Sequence, residues 1–137
     1  MAIRAIRELG EDVLRKQSKP VDKMTIRTRI LINDMLDTMY ETGGVGLAAP
    51  QVGILKRIVV IDIDDGTGVK VLINPKITKT KGEQEVDEGC LSFPNQYAKL
   101  IRPKEVTVEA LDRSGKKIVI KAKDLLAQAI CHELDHL

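Results

Sequence analysis

The sequence predicts an α+β fold in which antiparallel β-sheets pack around a C-terminal metal-binding helix, with a second helix near the N-terminus. Three observations carry this expectation. Apolar residues recur at helical spacing near both ends, strand-like segments fill the middle, and two of those segments meet across a tight turn.

From Thr25 to Glu41, the residues Ile26, Ile30, Leu31, Met35, Leu36 and Met39 keep helical spacing. Thr25 suits the N-cap, because its hydroxyl accepts from an unpaired N–H of the first turn. Gly43-Gly44 ends the helix, since glycine takes the left-handed conformation beyond a helix C-terminus. The segment before this helix, closing on Lys19-Pro20, reads as a partly helical lead-in. Arg57 to Ile63 is a β-branched strand that stops at the turn sequence Asp64-Asp65-Gly66, and Val69 to Asn74 gives a second strand. Glu105 to Ala110 alternates strictly and faces Lys117 to Lys121 across Asp112-Arg113-Ser114-Gly115, which is a hairpin pattern. Asp124 caps the last helix, whose spacing holds to Leu137.

Composition narrows the function classes. The 137 residues suit one domain, and no repeat, low-complexity tract or Gly/Ser/Pro-rich linker divides them. Hydrophobic residues at 43% and charged residues at 31% are globular rather than disordered proportions. Only Tyr40, Phe93 and Tyr97 are aromatic, so the core must be aliphatic and a base-stacking platform lacks its side chains. A net charge of +2 gives no electrostatic footprint for nucleic acid or a membrane surface. No apolar run approaches the roughly 20 residues of a membrane helix, and Met1-Ala2-Ile3-Arg4 opens no signal peptide. A cytoplasmic protein is expected. Cys90 and Cys131 are too few for a disulfide framework.

The strongest chemical signal is His132-Glu133-Leu134-Asp135-His136. Residues four apart share a helix face, so two imidazoles at this spacing converge on one cation. Glu133 lies roughly 100° further around the helix, out of place as a third ligand but able to reach a water bound there. The competing reading is a pair of ordinary hydrogen-bonded histidines. Against it, these are the only two histidines in the chain. They also continue an apolar stripe from Leu125 and Ala129, while Glu133 continues one from Leu126 and Ile130. Burying two imidazoles and a carboxylate is costly unless a cation or hydrogen bonds satisfy them.

A third ligand has to come from Cys90, Cys131 or a carboxylate, leaving the fourth position for water. Cys131 points away from the histidine stripe and reads as a small buried hydrophobe. Cys90 lies in Glu88-Gly89-Cys90-Leu91-Ser92-Phe93-Pro94, a compact turn whose glycine allows close backbone approach. The stretch from Gly43 to Gly53 is rich in Gly and Ala and lacks the spacing and Lys of a phosphate loop. It reads either as a simple helix-to-strand connection or as backbone that a ligand approaches. Gln51 is its one side chain able to donate to a developing oxyanion.

Gly44-Val45-Gly46-Leu47-Ala48-Ala49-Pro50-Gln51, Glu88-Gly89-Cys90-Leu91-Ser92 and His132-Glu133-Leu134-Asp135-His136-Leu137 resemble the three signature segments of bacterial peptide deformylases. Their order and spacing match as well, and the likeness runs over essentially the whole chain. The resemblance implies a hydrolase that removes the N-formyl group from formylmethionyl nascent peptides and releases formate. It implies one Fe2+ per chain held by Cys90, His132 and His136, with Glu133 as acid/base and Gln51 and the Leu91 N–H as oxyanion donors. Ligand chemistry alone suits Zn2+, Ni2+ or Co2+ as substitutes. The resemblance further implies a methionine pocket from Val45, Val86, Leu125, Ala129 and the ring of His132, with Gly46 among the substrate contacts. Glu88 and Arg102 correspond to a supporting ion pair.

Three departures stand out. Tyr97 occupies a position where many relatives have Arg, and Cys131 one where Gln is common. The chain also ends one residue after His136, whereas relatives continue, often into a helix linked to ribosome docking. A single domain, residues 1–137, lacking that usual extension is therefore expected. A zincin-type protease is the closest rival, but its usual third ligand lies downstream of the histidines and Cys90 lies upstream. A structural metal module without turnover would need a fourth protein ligand, and no convincing one is present.

Overall fold

The computed structural model describes residues 2–6, 17–90 and 93–137, the side chains of 88–98 excepted. Helix α1 spans Ile26–Glu41, and the extended Thr25 before it accepts from the Thr28 N–H at 3.1 Å. Beyond its end, Gly43 has a φ of 72°, the left-handed value anticipated there. The chain then runs through β1 (Gly46–Ala48), a 3-10 turn (Ala49–Val52), β2 (Ile58–Ile61), β3 (Lys70–Lys81), β4 (Gln84–Cys90) and β5 (Phe93–Arg102). β6 (Glu105–Leu111), β7 (Lys117–Lys123) and α2 (Asp124–Asp135) complete it.

Five strands form one antiparallel sheet in the order β1-β2-β3-β6-β7, and β4 and β5 pair separately. The two helices cover opposite faces of the five-stranded sheet. Leu31, Ile32, Met35 and Met39 of α1 pack with Leu47, Ile58, Val60, Val71 and Ile73. Ala127, Ala129, Ile130 and Cys131 of α2 pack with Ala48, Val59, Ile61, Leu72, Val106 and Val108. This explains why β2 is an unbroken apolar run: alternate side chains point to opposite faces, and both faces are buried. β6 alternates instead, with Val106, Val108 and Ala110 buried against α2 and the intervening residues on the more open face.

The N-terminal lead-in differs from expectation where it is described. Residues 2–6 form no helix; the Ala2 N–H donates to Asp34 Oδ1 at 2.7 Å and the Arg4 N–H to Thr38 Oγ1 at 2.9 Å. The remainder, 7–16, lies outside the described residues. β3 continues well past Asn74, where the apolar pattern stops. Asn74 has a φ of 54° and lies in the irregular stretch between the Ile73 and Lys76 pairings, so Pro75 is accommodated without ending the strand.

The start of α2 is also corrected. Asp124 is its first residue, with a φ of 54°, and Lys123 precedes it without a side-chain cap. β7 feeds directly into the helix, so one residue must absorb the whole change of direction, and Asp tolerates the left-handed region. At the other end the helix stops at Asp135, with His136 as C-cap, rather than continuing to Leu137.

Asn74 joins two distant segments: its amide accepts from the Val21 N–H at 2.7 Å and donates to the Val21 carbonyl at 2.9 Å. Asn74→Ala should therefore cost about 2–4 kcal/mol in denaturant unfolding, combining two lost hydrogen bonds with left-handed strain. Asn74→Gly should cost about 1 kcal/mol less, because glycine relieves the strain but not the lost bonds.

Candidate active site

Helix α2 supplies three of the expected groups. The rings of His132 and His136 lie on one side of it with centroids 5.1 Å apart and planes at 78°. Between them in sequence, Glu133 is only 5% exposed, and Ile130 and Cys131 beside it are buried in the α2 side of the core. The packing of Cys131 fits the small-hydrophobe reading. Where the helix ends, the His136 N–H donates to the Glu133 carbonyl and the Leu137 N–H to Leu134, both at 3.1 Å. These short-range bonds tighten the last turn and hold the second imidazole beneath the first.

β1 and the 3-10 turn supply the next groups. Leu47 points towards α1, so Gly46 and Ala48, its neighbours in the alternation, face α2. Gln51 is 2% exposed, and its Oε1 accepts from the Ala48 N–H at 2.9 Å. An N–H donor at that distance requires the carbonyl end of the amide there, which leaves Nε2 as the donor end. The stretch from Gly43 to Gly53 is thus more than a connection, since it builds an edge strand and anchors a buried amide.

The residues expected to line a methionine pocket divide by exposure. Val45 and Leu125 are 48% and 51% exposed, Val86 on β4 is half-buried and Ala129 is buried. The Asp62 N–H donates to the Val45 carbonyl at 2.8 Å, fixing the backbone that enters β1. The Tyr40 hydroxyl in turn donates to the Asp62 carboxylate at 2.7 Å. That bond holds the Asp62 carboxyl below its usual range and the phenol above its own.

The β4–β5 hairpin bears Cys90 and, among the described residues, is tied to α2 by polar contacts from Gln84, Gln128 and Arg102. Gln84 Nε2 donates to the carbonyls of Pro103 at 3.1 Å and Asp124 at 2.9 Å. Gln128 Nε2 reaches the Asp87 carbonyl at 3.3 Å. Arg102 Nη1 meets Asp135 Oδ2 at 2.6 Å, with the arginine side chain mostly buried and the aspartate exposed. None of these tethers was read from the sequence, which offers no local signal for pairings so far apart. Asp135 is thereby a described partner of Arg102; the expected partner Glu88 has its side chain outside the described residues.

Cys90 ends β4, with its backbone opposite Phe93 and a register shift between Gly89 and Cys90. Its thiol, the side chain of Tyr97 and the whole of Leu91 also lie outside the described residues. Among the described residues, no three His, Cys, Asp or Glu side chains converge as a metal site; the two imidazoles are brought together, and the hairpin bearing Cys90 packs against their helix.

If Arg102 clamps the hairpin to the helix, Arg102→Met should raise amide hydrogen exchange along β4 and β5 while leaving β2 protected. Unchanged exchange in the hairpin would assign its docking to the two glutamines instead.

Comparison with known proteins places this arrangement in a family. A family model described as polypeptide deformylase matches residues 3–137. A peptide deformylase from Acetivibrio thermocellus is 56% identical over 137 residues, covering 100% of this chain and 79% of the relative. Among solved structures, a peptide deformylase from Legionella pneumophila aligns with a TM-score of 0.95 at 49% identity, over 98% of this chain and 80% of that one. A peptide deformylase from Ehrlichia chaffeensis in complex with actinonin aligns with a TM-score of 0.97 at 36% identity, over 100% of this chain and 84% of that one.

Proposed function

The chain belongs to the polypeptide deformylase family, metal-dependent hydrolases that remove the formyl group from nascent peptides, and we propose that Cys90, His132 and His136 hold its metal. The observation that carries this reading is the pair of imidazoles 5.1 Å apart on α2, with the buried Glu133 carboxylate one residue from the first. Two imidazoles and a thiolate fit a divalent transition metal and leave a position open for water or substrate. We assign Fe2+, one per chain, on the family likeness, with Zn2+, Ni2+ and Co2+ as chemically suitable substitutes.

Such a cation supplies Lewis acidity, polarising a carbonyl and making a water acidic enough to lose a proton near neutral pH. The protein's own residues direct the rest. Glu133 takes the proton of the attacking water as the oxygen adds to the formyl carbon. It then delivers that proton to the departing amine, so that formate and a free N-terminus are the products. Gln51, its Oε1 committed to Ala48, presents Nε2 to the developing oxyanion, and the Leu91 backbone N–H is the second donor. Losing one such donor typically costs about 3 kcal/mol of transition-state stabilisation.

The exposed Val45 and Leu125, with Val86 and Ala129, form the slot for the methionine side chain, and Gly46 offers backbone to the substrate chain. No helix among the described residues is long and apolar enough to cross a membrane. We place the enzyme in the cytoplasm, meeting its formylated substrates where they emerge from the ribosome.

Formate release from a formyl-Met peptide tests the reading directly; a fully metallated protein that releases none overturns it. Cys90→Ala should lose bound metal, whereas Glu133→Ala should keep metal and fold but lose about 100-fold or more in turnover. Metal loss in Glu133→Ala would make that carboxylate a ligand. Formyl-Met should be preferred over formyl-Ala by about 10- to 150-fold in kcat/KM, the value of burying a thioether chain. Equal rates on the two peptides would remove the apolar slot.

A further inference from the structure

Gly46 is an unusual place for glycine. It sits in β1, paired opposite Ile61, without the positive φ that Gly43 and Gly53 require. Its backbone conformation is open to any residue, so conformational freedom does not account for it. Space does. A methyl group on Gly46 would lie 2.6 Å from Glu133 Oε2, 2.9 Å from Cγ and 3.0 Å from Cδ. Those distances are shorter than carbon atoms tolerate, and they involve the stem of the glutamate as well as its tip.

Neither partner can easily retreat. β1 is held on β2 through the Gly46–Ile61, Leu47–Val60 and Ala48–Val59 pairings, and its residues are buried. Glu133 is buried on a helix whose neighbours Ile130 and Cys131 pack into the same core. A side chain at position 46 would therefore force the glutamate into another rotamer and carry its carboxylate away.

We propose that Gly46 is a positioning residue whose missing side chain sets the location of the Glu133 carboxylate for proton transfer. This rests on the role given to Glu133 above, and is separate from any backbone contact Gly46 makes with substrate. A displacement of about 1 Å in a reacting group costs on the order of 100-fold in rate, which sets the scale of the effect.

The test is a double-mutant cycle with Gly46→Ala in three backgrounds. With Glu133 present, Gly46→Ala should lower kcat about 100-fold with KM and metal content little changed. In the Glu133→Gln background, where proton transfer is already lost, Gly46→Ala should cost at least about tenfold less than it does with Glu133 present. An equal loss in both backgrounds would show that the added methyl acts on the substrate or the strand rather than through Glu133, and would overturn the proposal. Thermal unfolding gives the second readout. Gly46→Ala should lower Tm by about 5 °C or more with Glu133 present, and hardly at all in Glu133→Ala, where stem and carboxylate are gone. If Gly46→Ala alone does not fold, the double variant with Glu133→Ala must; failure of both, or the same Tm loss in both, places the conflict elsewhere and overturns the proposal. If the parent protein releases no formate while the Tm coupling persists, the catalytic reading of Glu133 fails, and with it the proton-transfer role of Gly46. The packing relation alone would then stand.

Discussion

A carboxylate can be buried at Glu133 because helix α2 lies almost against the backbone of β1, and that approach depends on small residues between helix and sheet. The two faces of the sheet contrast in this respect. On the α1 side the core is filled by Leu31, Ile32, Met35 and Met39 against Leu47 and Ile58. On the α2 side it contains Ala48, Ala110, Ala122, Ala127 and Ala129, and Gly46 continues that face. Helix spacing follows the size of the side chains at the contact, so the alanine-rich face lets α2 come close. Interior packing is dense enough that a single added methyl on this face is felt. The buried Glu133 carboxylate thus sits at the contact between α2 and β1.

The proposed ligands come from parts of the fold with different anchoring. His132 and His136 belong to a helix whose apolar side is built into the main core. Cys90 ends a strand of the separate two-stranded sheet, which meets that helix through Gln84, Gln128 and the Arg102–Asp135 pair. Polar tethers of this kind contribute less than core burial, particularly where one partner is exposed as Asp135 is. The hairpin is therefore expected to open at lower free energy than the five-stranded sheet. Metal held by both parts would join them, because a ligand set that exists only in the folded arrangement stabilises that arrangement.

How much of this could be read beforehand follows from the range of the interactions involved. Helix α1 with its Thr25 cap and the β6–β7 hairpin were legible, since periodicity and turn chemistry are local. The separation of His132, Glu133 and His136 on α2 was legible for the same reason. β1 carries no strand signal, because three residues of Gly, Leu and Ala have no period. β4 and β5 carry no strand signal: Gln84–Cys90 is acidic and Phe93–Arg102 mixes polar residues with proline, so neither shows an apolar alternation. The cap of α2 lies one residue before Asp124, where a strand entering a helix without a loop carries no cap signal. The role of Asp135 has no local signal, since its partner Arg102 lies 33 residues away, in the two-stranded sheet.

Gly46 shows the same limit most sharply. In the run Gly43-Gly44-Val45-Gly46 nothing local tells a glycine that ends a helix or joins two elements from one whose backbone something approaches. The structure separates their reasons. Gly43 serves chain direction, with a positive φ just beyond α1, whereas Gly46 lies in ordinary strand geometry and serves volume. What approaches Gly46 is a side chain of the protein itself, from a helix that begins nearly eighty residues later in the chain. A glycine's conformational purpose can be inferred from its neighbours in sequence. Its steric purpose can be inferred only from its neighbours in space, and here that neighbour is the group assigned to carry the proton.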